Sequence, residues 1–158
     1  MYWKYLKYVA RHKWYTFLEC CRLGIPITGL LHDWHKLLPD EFLPYARNFY
    51  GENTPSKPKA TLDAFNYAWL KHISRSRHHP EWYVLGFDKV AQKPLVFEMP
   101  LRRRKEMVAD WRGVGMALHG KDDSSAWYND HREAMVLGPE TRAWVESEMV
   151  VQSLIERD

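Results

Sequence analysis

The chain has 158 residues, of which 46% are hydrophobic and 27% charged, and this length suits one domain (1–158) with a substantial core. Its formal net charge of +3 is too small to indicate a nucleic-acid-binding protein, so we expect no stable nucleic-acid complex. No apolar run reaches the roughly 18 to 20 residues of a transmembrane helix, and lysines and arginines interrupt the N-terminal apolar residues, so neither a membrane span nor a signal peptide is expected.

The first predicted helix covers residues 3–23, because apolar residues follow three-and-four spacing and no Pro or Gly occurs before Gly24. Its aromatic and basic residues would also suit an interfacial membrane helix or a nucleic-acid surface, but the preferred interpretation is a half-buried helix whose aromatic residues are core and whose lysines are solvated. His12 lies in the middle of this helix. The adjacent Cys20 and Cys21 are poorly arranged for disulfides and favour a reducing, cytoplasmic setting.

A second helix is predicted from about residue 28 to residue 38, after a break at 24–26, and a third over 41–50. The second helix contains the run LLHDWHKLL, which places His32 and Asp33 side by side among apolar residues. An apolar run tolerates a charged carboxylate only if something pairs with it. A local salt bridge is one such partner, and a divalent metal ion is another.

The rest of the chain is also predicted to be mainly helical, which gives an all-α bundle of about six or seven helices. The segment 82–97 forms either a small hairpin or an ordered loop. The residues 51–59 (GENTPSKPK) are predicted to be a loop, and the further helices are predicted over 61–78, 101–118, 124–136 and 140–156.

Histidines on the predicted helix 61–78 need partners. His72 and His79 are two turns apart on its apolar face, and His78 lies about 100° round from His79. A histidine on an apolar face requires a hydrogen-bond or metal partner. Asp110 lies among apolar residues of another predicted helix and has the same requirement.

These candidates fall on four predicted helices, and a helical bundle can turn such side chains towards one place. Four or five imidazoles with two carboxylates exceed one tetrahedral zinc shell. They suit one octahedral ion, or two ions bridged by Asp33, with Mn, Fe, Co, Mg and Zn as the candidate metals. The candidate ligands are His12, His32, Asp33, His72, His78 or His79, and Asp110.

The pattern resembles the HD superfamily of metal-dependent phosphohydrolases, whose signature is H…HD…D on an all-helical core. The run 32–36 (HDWHK) is similar to the HDxGK form of the cyclic-di-GMP phosphodiesterase branch, and the run 77–79 (RHH) looks like the paired histidines of that branch. His35 stands in place of the glycine, and no GYP follows. The chain also looks like a small family of uncharacterised proteins met in phage and bacterial genomes, through the phrases HD..K..P.EF.PYAR.FYG and MVADW, and that likeness implies no activity.

The first resemblance implies an HD-like metal-binding bundle that hydrolyses a nucleotide, cyclic nucleotide or other small phosphate ester through a metal-activated water. His35 competes with His32 as a ligand, and His32 is preferred because Asp33 follows it. Asp33 and Lys36 are the implied catalytic residues, and Lys36 would also hold a phosphate oxygen. The implied first metal shell is His12, His32, Asp33 and Asp110, the second site adds His72 with His79 or His78, and further phosphate contacts would come from Arg47, Arg75 and Arg77.

Two other functions fit the sequence. Some HD-fold proteins are di-iron oxygenases that use a similar set of ligands. Alternatively, the chain is a non-enzymatic module, such as a phage factor whose aromatic, basic N-terminal helix grips a host protein or membrane. Aromatic residues such as Tyr2, Trp3 and Trp127, if exposed, would also allow a homo-oligomer.

Overall fold

The fold is an all-α bundle with one small hairpin, as predicted, in a computed structural model that describes residues 1–51 and 57–155. The predicted loop residues 52–56 and the last predicted helical residue, 156, lie outside the described residues. The elements are α1 (Tyr2–Arg22), α2 (Pro26–Leu31), α3 (Pro39–Tyr50), α4 (Lys59–Arg75), β1 (Val84–Leu85), β2 (Leu95–Val96), α5 (Leu101–His119), α6 (Ser124–His131) and α7 (Pro139–Ile155).

Helix α1 packs along α5, and this pair forms the centre of the bundle. One face of α1 is buried, as expected for a half-buried helix. The expectation that its aromatic residues belong to the core is wrong for Trp3 and Trp14, which lie on its other faces and are 65% and 57% exposed. Gly113 of α5 permits the close approach, because a Cβ atom there would lie 2.1 Å from Thr16 Oγ1 and 2.9 Å from Thr16 N. The buried face of α1 consists of Tyr5, Val9, His12, Thr16 and Cys20.

Gly113→Ala is therefore expected to destabilise the protein by about 1–3 kcal/mol, the usual cost of overpacking. The clash is with backbone as well as side chain, so rotation of Thr16 alone cannot relieve it. Urea unfolding followed by circular dichroism measures the change. Gly86→Ala is the control, since an added Cβ atom there meets nothing within 4 Å. Equal stability of the two variants would show that α1 and α5 can move apart freely.

Two apolar clusters flank this central pair. One joins α1, α3 and α4 and contains Tyr5, Val9, Tyr45, Ala46 and Ala68. The other joins α5, α6 and α7 with Met99, two residues before α5, and it contains Met99, Met107, Val108, Tyr128, Val145 and Met149. The hairpin pairs Val84 with Val96 and Leu85 with Leu95 in antiparallel register, inside the predicted range 82–97.

The predicted helix over 28–38 is wrong. Helix α2 stops at Leu31, and Asp33 has φ 47°, a left-handed conformation that an α-helix cannot contain. A short 3-10 turn, Trp34–Leu37, follows it. The predicted helix over 61–78 also ends early, because Ser76 is extended (φ −113°, ψ 99°) and leaves His78 and His79 outside α4. Helix α6 likewise ends at His131 instead of 136.

Among the described residues, no helix combines the length and the apolar character that spanning a bilayer requires.

Candidate metal centre

Five histidines and two aspartates meet inside the bundle, brought together by five parts of the chain. The break between α2 and the 3-10 turn contributes His32 and Asp33, while α1, α4 and α5 each contribute one side chain. The segment after α4 contributes a pair of adjacent histidines. All seven are at least largely buried: His12, His32, Asp33, His72, His78, His79 and Asp110.

Three histidine rings face the carboxylate of Asp110. His12 Nε2 and His32 Nε2 each lie 3.1 Å from Asp110 Oδ1, and His78 Nε2 lies 3.6 Å from Oδ2. Each ring therefore turns the same nitrogen towards this acid, although they come from three different segments.

Asp33 also lies close to imidazole Nε2 atoms, including the His32 nitrogen that faces Asp110. Its Oδ2 lies 3.4 Å from both His32 Nε2 and His72 Nε2, and its Oδ1 lies 3.8 Å from His78 Nε2. Lys36 Nζ is 2.7 Å from Oδ2. Asp33 belongs to two potential ligand groups, in each of which the ligand atoms lie within 4.8 Å of one another: His12, His32, Asp33 and Asp110, and Asp33, His35 and His72.

His78 and His79 both belong to the centre, so the sequence-based choice between them is unnecessary. His79 Nε2 lies 2.9 Å from His72 Nε2, and the rings of His78 and His79 are 4.3 Å apart. Together with His72 they form a third potential ligand group. The extended backbone after α4, rather than a helical stripe, is what brings them there.

Two glutamates hold the outer nitrogens of these rings. Glu106 Oε1 lies 3.3 Å from His32 Nδ1 and 3.5 Å from His78 Nδ1. Glu41 Oε2 accepts hydrogen bonds from His72 Nδ1 at 3.1 Å and from His35 Nδ1 at 2.9 Å. A carboxylate on one ring nitrogen with the other nitrogen turned inward is the usual arrangement around metal-bound histidines.

The electrostatics of the centre keep the aspartates ionised. Burial alone would raise the pKa of Asp33 and of Asp110, but nearby positive groups, His32 and Lys36 for Asp33 and the imidazoles for Asp110, hold both well below the usual range. For His78, burial lowers the pKa, yet the charge of Asp33 and the contacts with Asp110 and Glu106 raise it to about 10.

For other histidines of the centre, burial outweighs the nearby negative charges, and the net pKa is lowered. Burial lowers the pKa of His12 and of His72, which leaves both neutral. The pKa of His79 is also lowered, by burial and by the neighbouring His78 and His72. A neutral imidazole is the form that binds a metal.

Several buried atoms at the centre lack a hydrogen bond of normal geometry within the described part of the chain. They include both nitrogens of His12, Nε2 of His78 and Oδ2 of Asp33, the last despite the short distance to Lys36. Buried polar atoms are normally satisfied, so these need a further partner. Imidazole nitrogens and carboxylate oxygens are donors that divalent transition metals accept. These buried groups can therefore hold a metal ion.

The predicted phosphate-binding residues lie at different distances from the centre. Lys36 is buried beside Asp33. Arg75 pairs with Asp40 and with Glu41, so its guanidinium contacts the outer carboxylate that holds His72. Arg77 lies over the ring of Trp82, 5.3 Å from its centroid, and Arg47 is exposed on α3.

Four members of the centre are not among the predicted site residues. Glu106 lies one helical turn before Asp110 on α5, and this i, i+4 spacing was a usable signal. Glu41 lies in the first turn of α3, where an acidic residue is common because it interacts favourably with the helix dipole. Its position in the sequence therefore does not indicate a role at the centre. His35 was rejected in favour of His32, and Ser76 donates a hydrogen bond to Asp33 Oδ1.

Glu106→Gln is expected to weaken metal binding by about 10- to 100-fold, the usual effect of losing a carboxylate behind a metal-bound histidine. A neutral amide accepts less strongly from His32 and His78 than the carboxylate does. Competition with a fluorescent chelator measures the affinity. Glu133→Gln, whose side chain is 91% exposed, serves as the control. Unchanged affinity in Glu106→Gln would mean that this carboxylate does not support the ligands.

Comparisons with known proteins identify a family for this chain but indicate no activity. No curated protein and no solved structure matches the chain. A model of a family of unknown function, DUF5662, matches residues 1–150. Because the match covers nearly the whole length, the chain belongs to this family of unknown function.

Proposed function

We propose that this protein is a metal-dependent phosphohydrolase that acts on a nucleotide, a cyclic nucleotide or another small phosphate ester. The observation that carries this proposal is the convergence of imidazole Nε2 atoms on Asp33 and Asp110, with glutamates behind the rings. The likeness of the H…HD…D pattern to the HD superfamily supplies the reaction class.

The ligand groups suggest two neighbouring ions. One group would be His12, His32, Asp33 and Asp110. Asp33 would be shared with a second group that contains His35 and His72, and His72 also belongs to a group with His78 and His79. This imidazole-rich set favours Mn, Fe, Co or Zn over Mg. A bound divalent ion supplies Lewis acidity and activates water near neutral pH.

Lys36 is suited to hold an anionic oxygen of the substrate. Burial opposes its charge, but Asp33 and Asp110 raise the pKa of Lys36 above its ordinary value, so the ammonium group stays protonated. Its side chain also lines a large cavity that reaches His72, His79 and Asp110. A fixed cation at such a wall stabilises negative charge on a phosphate group.

An HD-fold di-iron oxygenase is the second candidate. The mostly apolar and aromatic wall of the same cavity favours it, because oxidative chemistry often acts on apolar substrates held away from water. Two irons per chain and a visible charge-transfer band after purification without oxygen would support this candidate. Phosphate release with Mn, Mg or another divalent ion would support the hydrolase.

A cytoplasmic location is also part of the proposal. Cys20 is buried and Cys21 is exposed, and both are free thiols. Free exposed thiols are typical of reducing compartments.

The proposal is tested by elemental analysis of the purified protein followed by a phosphate-ester screen. The protein is first depleted of metal with a chelator, and Mn, Fe, Co, Mg or Zn is then added back. Each preparation is incubated with nucleoside monophosphates, cyclic nucleotides and simple phosphate esters. We expect phosphate or monoester release that disappears with chelator and returns with at least one metal. Absence of any release with all five metals, in protein that binds them, would overturn the proposal.

A further inference from the structure

A cavity of about 1070 Å³ adjoins the candidate metal centre. Lys36, His72, His79 and Asp110 form part of its wall, so a molecule bound there would reach the centre. Much of the remaining wall is aromatic, which gives the cavity the size and character of a small-molecule site. The aromatic residues are Tyr5, Tyr8, Tyr45, Phe49, Tyr50, Trp69, Trp111 and Trp127.

Two tyrosines of this wall have unused hydroxyl groups. Tyr5 and Tyr45 are 1% and 6% exposed, and neither hydroxyl has a hydrogen-bond partner in the described part of the chain. Their rings are 6.2 Å apart, and the ring of Tyr45 is 6.2 Å from that of His72. A buried hydroxyl without a partner is unfavourable, so a ligand oxygen is a reasonable missing partner.

The two hydroxyls are hydrogen-bond donors next to a positive charge. Burial is the main effect that raises the pKa of both phenols, and the charge of Lys36 partly opposes it, so both stay protonated at neutral pH. Two O–H donors and an ammonium group suit a phosphate oxygen or another anionic head group.

The wall also limits the charge that the cavity can accept. Lys36 is its sole lysine or arginine among the described residues, and Glu81 and Asp110 contribute carboxylates. Arg75 and Arg77 line a separate, smaller cavity of about 340 Å³. A triphosphate would therefore meet too few cations in the large cavity, whereas one phosphate would be balanced by Lys36 and by ions at the centre.

We propose that the substrate is a phosphate ester with one phosphate group and a flat aromatic body, such as an aryl phosphate or a nucleoside monophosphate. The hydroxyls of Tyr5 and Tyr45 donate hydrogen bonds to its head group beside Lys36. The body lies against aromatic rings such as Phe49 and Trp69, which favour stacking. This inference rests on the proposed hydrolase function and adds the substrate class and the head-group site.

Binding of 1-naphthylmethylphosphonate tests the inference, because its C–P bond resists hydrolysis and binding is measured apart from turnover. Calorimetry with the manganese-loaded full chain compares it with methylphosphonate and with inorganic triphosphate. We expect the naphthyl compound to bind at least tenfold more tightly than either. Tyr5→Phe and Tyr45→Phe, singly and together, should weaken its binding, by about tenfold in the double variant. Tyr67→Phe, at a 62% exposed position outside the cavity wall, should leave binding unchanged.

Three results would overturn the inference. The first is equal affinity for the naphthyl and methyl compounds, and the second is tighter binding of triphosphate than of the naphthyl compound. The third is unchanged affinity for the naphthyl compound in the folded single Tyr→Phe variants. Its failure is distinguishable from failure of the proposed function. If the protein binds the naphthyl compound selectively but hydrolyses no ester, the head-group site is supported and the hydrolase function is contradicted. If it hydrolyses phosphate esters at rates that do not depend on an aromatic body, the hydrolase function is supported and the proposed substrate class is contradicted.

Discussion

Asp33→Asn is expected to remove bound metal and to lower phosphate-ester turnover by about 1000-fold. Asp33 is shared by two potential ligand groups, so its loss affects both. A catalytic metal contributes several kcal/mol to stabilising the transition state, and about 4 kcal/mol corresponds to a factor of 1000 in rate. Metal content per chain and initial rates measure the two effects.

The substitution is conservative for the backbone. Asp33 has φ 47°, and asparagine is among the few residues other than glycine that adopt this conformation readily. It does remove the charge beside buried Lys36, which can destabilise the fold. Asp110→Asn keeps that ion pair and is expected to show a similar loss of metal. A loss of metal in both variants therefore reflects the missing ligands and not the broken ion pair with Lys36.

Asp63→Asn is the matched control, since Asp63 lies on α4 with a side chain that is 58% exposed. It is expected to keep its metal content and its turnover. Full metal content in folded Asp33→Asn would contradict the assignment of Asp33 as a metal ligand. The seven groups of the centre would then be a structural network of ion pairs.

The helices were predictable because their signals are local. Three-and-four spacing of apolar residues marks α1 and α5, and Pro and Gly mark the break before α2. The turn at Asp33 was not predictable in this way. Contacts from distant parts of the chain hold it: Lys13 donates to the His32 carbonyl, and Ser76 donates to Asp33 Oδ1 at 3.1 Å.

A left-handed residue costs about 1–3 kcal/mol unless its surroundings fix it. Local propensity therefore favours continuing the helix through His32 and Asp33, and only tertiary contacts reverse that preference. The break has a consequence for the site. It lets two consecutive side chains face the same centre, which a continuous helix would point about 100° apart.

The candidate ligands were predictable from their surroundings, because an imidazole or a carboxylate among apolar residues needs a partner. The supporting glutamates are less evident in the sequence, because each has an ordinary local explanation. Glu106 could pair with Arg103 one turn earlier, and it does so at 2.5 Å. Glu41 could complement the start of α3. Their second role includes holding imidazoles that are distant in sequence, since His72 is 31 residues from Glu41 and His32 is 74 residues from Glu106, and it depends on how the helices pack.

Removal of the metal is expected to lower the unfolding temperature of the protein by about 10 °C. Without an ion, the carboxylates of Asp33 and Asp110 rely on protonated imidazoles and Lys36 for compensation. A ligand that binds only the native state at about 1,000 times its Kd adds about 4 kcal/mol to stability. For a chain of this size, each kcal/mol shifts Tm by about 2–4 °C.

Thermal unfolding followed by circular dichroism measures this shift, with the metal-loaded protein compared with the same protein after chelation. Asp110→Asn supplies the control, because a variant that binds no metal should show the same Tm with and without chelator. The size of the shift separates two interpretations of the buried cluster. A metal centre couples ion binding to folding, whereas a self-sufficient network of ion pairs would unfold at one temperature whatever the metal content.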